Sequence, residues 1–170
     1  MRKVFGLLLV ALICISSTNS SNKLPDIKIK DLNGKMVSAN TISNEGKPMV
    51  VSFWATWCKP CIRELNAVND QIVDWEDETG VKVVAISIDD SRQSARVRPF
   101  VASQGWEYDV YLDENSELRR ALNVNNIPHT FLLNGKGEIV WQHNGYFPGD
   151  EDHLYELVQK VANGESIEEK

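Results

Sequence analysis

The stretch FWATWCKPC (residues 53–61) joins the end of an apolar run to the start of a helical pattern, and it holds two cysteines two residues apart. Upstream, residues 48–54 are almost continuously apolar, as expected of a strand buried on both faces. Downstream, Ile62, Leu65, Val68, Ile72 and Trp75 recur at three- and four-residue spacing, with Gly80 beyond them. That spacing predicts one amphipathic helix opened by Cys58 and ended at the glycine. The unit is strand, cysteine turn, helix.

The rest of the chain continues the alternation. Residues 24–42 alternate apolar and polar positions around Asn33-Gly34, a hairpin signal ahead of the main fold. A second buried strand is expected over 81–89, followed by a helix to about Ser103 capped by Asp90 or Ser91. Pro99 should kink that helix or sit in a restarted first turn. A short strand over 108–112 and a short helix over 115–122 follow. Residues 130–133 and 138–142 then flank Asn134-Gly135-Lys136-Gly137, a second hairpin signal. A last helix over about 150–161 carries Leu154, Leu157, Val158 and Val161 on one face, with Asn163-Gly164 to end it. This order predicts an α/β fold with a central sheet flanked by helices. In such sheets, ligands bind at the carboxyl ends of the parallel strands. The cysteine turn lies there.

Composition bounds the function. At 170 residues the chain suits one domain with a full core. Its first 20 residues have two early positive charges, an apolar run and then small polar residues, the layout of a secretory signal peptide. The apolar run is too short for the ~20 residues of a spanning helix. Membrane anchoring, or lipid attachment at Cys14, is the less favoured reading. Residues 21–164 form the expected domain and 165–170 a frayed tail. Removing residues 1–20 takes away Arg2 and Lys3, so the net charge moves from −6 to −8. No basic patch points to nucleic acid. The same cut leaves Cys58 and Cys61 as the only cysteines, and a bridge between them closes too small a loop to constrain the unfolded chain much.

At a helix N-terminus, unpaired N–H groups and the positive end of the dipole stabilise an anion, and the thiolate is the reactive form of cysteine. Cys58 is therefore the candidate attacking thiol, with Lys59 adding positive charge and Pro60 stiffening the loop at no cost in helix hydrogen bonds. Cys61, one turn deeper, is the candidate resolving thiol. Glu64 follows Cys61 by three residues and can exchange protons with it; spacing alone leaves open a solvated carboxylate with no role. One CxxC supplies only two of a zinc site's four ligands, and His129, His143 and His153 do not complete a zinc-finger spacing. A copper(I) site using both thiols and His129 is the competing binding-protein reading.

WCKPC in this context, with Ile127-Pro128 sixty-seven residues after Cys61 and a secretory leader, resembles the thioredoxin superfamily. More narrowly, it is similar to the TlpA/ResA-like thiol-disulfide oxidoreductases, related to the AhpC/TSA redoxin group. The resemblance spans about residues 24–163. It implies a thioredoxin-like fold with an N-terminal β-hairpin and a βα insertion, a Cys58–Cys61 disulfide in the oxidised form, and no cofactor or metal. It also implies a cis Pro128 facing the sulfurs, client contacts from Trp57, Ile127 and Pro128, and a thiol-tuning role for Glu64.

Two departures stand out. Ser52 occupies the position, six residues before the first cysteine, where thioredoxins proper carry a buried aspartate. His129 replaces a common threonine; it either fills a polar edge or stabilises the Cys58 thiolate when protonated. A peroxidatic PxxxTxxC pattern is absent, because Pro48 is too far ahead and Thr56 stands two rather than three residues before Cys58. The resemblance points to a periplasmic or otherwise extracytoplasmic reductase of client disulfides; the sequence does not fix the oligomeric state, a monomer being the favoured reading. Its electrons would come from a membrane thiol-transfer protein, and apocytochrome c is one client class. An oxidase or isomerase would use the same residues with electrons flowing the other way.

Overall fold

A computed structural model describes residues 22–167; the expected signal segment therefore lies outside the described residues. Seven strands form one mixed sheet in the order β2-β1-β5-β4-β3-β6-β7. They are β1 (Lys28–Asp31), β2 (Met36–Ser38), β3 (Met49–Trp54), β4 (Lys82–Ser87), β5 (Asp109–Leu112), β6 (His129–Leu133) and β7 (Ile139–Asn144). The helices are α1 (Lys59–Asn69), α2 (Ile72–Thr79), α3 (Val97–Gln104), α4 (Glu117–Ala121) and α5 (Asp150–Ala162).

The sheet's centre is its most apolar part. All six residues of β3 are buried, and Val50, Val51, Val83, Val84 and Ile86 supply the β-branched side chains that suit a doubly covered strand. β3, β4 and β5 run parallel, while β6 pairs antiparallel to β3. The crossovers β3 to β4 and β4 to β5 step the same way across the sheet, so right-handed connections put α1, α2 and α3 on one face. On that face α5 packs against α1 and α2, with Tyr155 stacked on Trp75 at 4.9 Å between ring centroids. Trp54, at the end of β3, meets Trp106 edge-on at 4.9 Å and Phe100 of α3 at 5.7 Å. Tyr108 donates to the Leu65 carbonyl and Trp106 to Asn66, fastening α1 to the connection before β5.

One expectation is revised. The single helix predicted after Cys58 is two, because the chain breaks at Asp70-Gln71 before Gly80, in the left-handed conformation, ends α2. Asn69 and Asp70 side chains compete with backbone hydrogen bonding and lower helix propensity. The apolar stripe runs through the break, since Val68, Ile72 and Trp75 are all buried, which is why periodicity alone reads one helix. The expected N-terminal hairpin forms as β1 and β2, and β1 pairs antiparallel with β5, covering what would be an open edge. Beyond α5, Ile167 packs against the core and Glu165 N–H returns to the Lys160 carbonyl. Pro99 lies in the first turn of α3, where its missing N–H breaks no helix bond. No helix among the described residues is long and apolar enough to cross a membrane.

Candidate active site

β3 ends at Trp54, and the chain turns through Ala55–Cys58 with the Cys58 N–H donating to the Ala55 carbonyl at 3.0 Å. Cys58 is the N-cap of α1: its Sγ accepts the Cys61 N–H at 3.3 Å, satisfying one of the helix's orphan donors. Lys59 and Pro60 form the first helical positions. Cys58 and Cys61 are joined in a disulfide with 5.3 Å between Cα atoms. The two sulfur-bearing residues differ in access, Cys58 at 5% exposure and Cys61 at 0%. An external thiol or disulfide meets the Cys58 side first.

Glu64 is buried, at 6% exposure, beneath the cysteine turn. Thr130 Oγ1 donates to its Oε1 at 2.7 Å and Ser52 Oγ to its Oε2 at 3.1 Å. Ser52 and Thr130 are direct partners across the β3–β6 pairing, so both hydroxyls stand on the sheet face that α1 covers. Burial pushes the Glu64 carboxyl up to about 7, against the two hydroxyl bonds that favour the charged form; Asp150 and Glu151 at the amino end of α5 push it further up. A carboxyl near neutrality can take or give a proton, and it lies one turn from Cys61 on the same helix. Ser52 is thus a hydroxyl donor to the carboxyl.

The Ile127–Pro128 peptide is cis. The β3–β6 register pairs Phe53 with His129, so Pro128 arrives at the same sheet end as the cysteine turn. Its carbonyl accepts the Gly145 N–H at 2.9 Å, linking it to the β7–α5 loop. Ile127 is half-buried, and its backbone has no backbone hydrogen-bond partner among the described residues. Trp57, at 60% exposure, stands beside Cys58.

His129 turns the other way. Strand alternation puts it opposite Thr130, where Nε2 meets Gln142 Oε1 at 3.1 Å and Nδ1 meets Asn144 Nδ2 at 3.4 Å. Burial holds its imidazole below the usual range, with the Gln142 bond partly opposing. A neutral ring on the far face fits the polar-edge reading rather than that of a cation beside the Cys58 thiolate. Among the described residues no group of three or more His, Cys, Asp or Glu side chains is arranged to hold a metal ion.

Three elements escape sequence reasoning. Thr130 was legible only as the inward alternate of a strand whose partner was unknown. Asp89, buried at the end of β4, accepts from Thr56 in the cysteine turn, and its signal is a charge closing an apolar run. Phe147 is 76% exposed on the loop that contacts Pro128, and nothing in its neighbours' pattern marks it.

A mixed sheet of this order, with a CxxC capping the helix after a central strand and a cis-proline at the same edge, defines a thioredoxin-fold dithiol protein. The chain belongs to the AhpC/TSA family, whose profile matches residues 21–142. It is 28% identical over 150 residues to the thiol-disulfide oxidoreductase ResA of Bacillus subtilis, covering 88% of this chain and 80% of that one. A solution structure of an uncharacterized thioredoxin-like protein from Porphyromonas gingivalis is 44% identical, with TM-score 0.76, covering 85% of this chain and 95% of that one. StoA of Bacillus subtilis is 29% identical, with TM-score 0.61, covering 78% of this chain and 98% of the other.

Proposed function

We propose that this protein is a thiol-disulfide oxidoreductase that reduces disulfides of client proteins outside the cytoplasm. The observation that carries the reading is the asymmetry of the pair: Cys58 is the more exposed residue of the two, at a helix N-cap, and Cys61 is fully buried one turn from a carboxyl poised near neutrality.

In the reduced protein the Cys58 thiolate attacks one sulfur of a client disulfide, forming a mixed disulfide and expelling the client's other sulfur as a thiolate. Glu64 accepts the Cys61 proton. The Cys61 thiolate then attacks Cys58 Sγ, closing the Cys58–Cys61 disulfide and releasing the client's second sulfur, which takes up a proton. Two electrons pass from the dithiol to the client. A membrane thiol-transfer protein returns them, since the surroundings favour oxidation. Trp57, Ile127 and Pro128 hold an extended client segment against the sulfurs, with the unpaired Ile127 backbone as its edge. Apocytochrome c is a client class for such a reductase. Lys59 and Pro60 shape the first turn and touch no proton in this scheme.

Expression of Cys61→Ser in the native host tests the reading. It should accumulate mixed disulfides through Cys58, and a Cys58→Ser control should accumulate none; identical behaviour of the two variants sinks it. Direction of flow is read from the reduction potential, where ~30 mV changes the two-electron equilibrium tenfold.

A further inference from the structure

Asp89 is wholly buried at the end of β4, and the thiol chemistry above does not use it. Its carboxylate accepts three hydrogen bonds. Oδ2 takes the Thr56 N–H at 2.9 Å and the Ser87 hydroxyl at 2.8 Å; Oδ1 takes the Thr56 hydroxyl at 2.6 Å. Ser87 Oγ in turn accepts the Asp89 N–H at 3.1 Å. Among the described residues no cation pairs with it. A buried charge without a countercharge is costly, and it persists only where hydrogen bonds replace water.

The donor set explains the residue type. The Thr56 N–H can only donate, and a carboxylate accepts it together with the Thr56 and Ser87 hydroxyls with no donor of its own to place. Asparagine would turn an NH2 toward at least one of them.

The position explains the use. Thr56 is the second residue of the Ala55–Cys58 turn, and Asp89 grips it by both its N–H and its side chain. Just before the turn, Ile88 N–H donates to the Trp54 carbonyl at 2.9 Å, so the end of β4 is fixed to the end of β3. The grip turns Thr56 inward and leaves Trp57 outward. It also sets where Cys58 emerges relative to the amino end of α1, on which the Sγ–Cys61 N–H bond depends.

We propose that Asp89 is a positioning residue which, through Thr56, fixes Cys58 Sγ against the amino end of α1 and so keeps its thiolate stabilised for attack. The proposal rests on the reading of Cys58 as the attacking thiol. When the turn loosens, the thiolate loses the N–H that favours it. Asp89's own charge acts in the opposite sense, because a nearby anion disfavours a thiolate.

That opposition gives the test. The reduced protein and its Thr56→Val, Thr56→Ser and Asp89→Asn variants are alkylated with iodoacetamide across pH 5 to 9, with the modified cysteine identified by mass spectrometry. Thr56→Val keeps the Asp89 charge and removes one bond, and Thr56→Ser restores the hydroxyl. Positioning predicts a Cys58 titration raised in Thr56→Val, with about tenfold less thiolate at pH 6, a smaller rise in Asp89→Asn, where loss of the charge opposes it, and a wild-type profile in Thr56→Ser. A lowered titration in Asp89→Asn with no change in Thr56→Val assigns Asp89 a purely electrostatic effect and overturns the proposal. Changed melting temperatures with unchanged Cys58 titration leave it a structural residue and overturn it equally. Should Asp89→Asn fail to fold, the two threonine variants decide the matter alone. First modification at Cys61 instead of Cys58 would defeat the underlying functional reading, which is a separate outcome.

Discussion

Thr130 and Glu64, sixty-six residues apart in sequence, are joined by a 2.7 Å hydrogen bond between the Thr130 hydroxyl and Glu64 Oε1. The bond ties the strand that follows Pro128 to the helix that carries both cysteines. It is one of two hydroxyl bonds that keep a buried carboxyl within reach of ionisation near neutral pH.

The carboxyl leaves a signature in stability. Glu64 titrates at about 7 in the folded protein against 4.5 as a free group. Below pH 4.5 both states hold the proton. Between 4.5 and 7 the unfolded chain releases it while the folded chain keeps it, so folding stability falls with rising pH and levels off above 7. At about 1.4 kcal/mol per pH unit, the loss is about 3 kcal/mol. Glu64→Gln should lack this slope and be the more stable protein at pH 8, measured by urea unfolding of the oxidised forms at pH 4.5 and 8. Parallel profiles for the two proteins would refute the assignment.

Its two partners have a predictable effect on proton affinity. Both hydroxyl bonds favour the charged form. Thr130→Val and Ser52→Ala should each move the Glu64 titration further above 7, by roughly one pH unit, since a hydrogen bond to a charged group contributes about 1.5–3 kcal/mol. Carboxyl carbon chemical shifts followed across pH read the change. An unmoved midpoint in Thr130→Val would mean that the bond is not formed in solution.

On the proposed function, client contact can be separated from chemistry at Trp57, and at Phe147, an exposed ring on the loop whose Gly145 N–H bonds the Pro128 carbonyl. Both are largely exposed, so alanine at either should alter stability by no more than about 0.5 kcal/mol. On the proposed function, the KM for a disulfide-bonded protein substrate should rise several-fold. Reaction with a small-molecule disulfide should hold its rate. Equal loss toward both substrates would assign these rings to the reactivity of the thiols and not to docking.

Gly135 in the β6–β7 hairpin presses against the backbone of Gly46, where an added Cβ would stand 1.9 Å from the Gly46 carbonyl oxygen. Backbone cannot swing aside as a side chain can. Gly135→Ala should destabilise the protein by about 1–3 kcal/mol through forced displacement of the two loops. Chemical denaturation showing wild-type stability would contradict this contact.

Much of this was legible because local rules and tertiary structure agree. The apolar run of β3, the cysteine turn, the Asn134-led hairpin and the α5 stripe are each readable from spacing, since burial on one or both faces writes its period into the sequence. The break between α1 and α2 is illegible for the same reason: Val68, Ile72 and Trp75 keep one stripe across it. At the site, the CxxC carries a signal of its own, whereas Pro128 is read as a cis-proline only through the family resemblance. Glu64 was visible as a residue but not as a buried one, because its burial depends on hydroxyls from two strands whose pairing the sequence does not state. Asp89 and Thr56 were missed on the same ground, being 33 residues apart.

The β6–β7 hairpin has a consequence for the order in which the chain acquires its properties. Both cysteines, their helix and the turn that Asp89 grips come from residues 54–89, and they can assemble as soon as β3 and β4 pair. Thr130, Pro128 and the Gly145 loop belong to a segment made later, inserted against the far side of β3. A chain stalled before that insertion has two sulfurs at a helix end and the Ser52 hydroxyl on Glu64, but neither the Thr130 hydroxyl nor Pro128 at that end of the sheet. Disciplined thiol exchange is therefore a property of the completed sheet, and it arrives with one of the last strands to be synthesised.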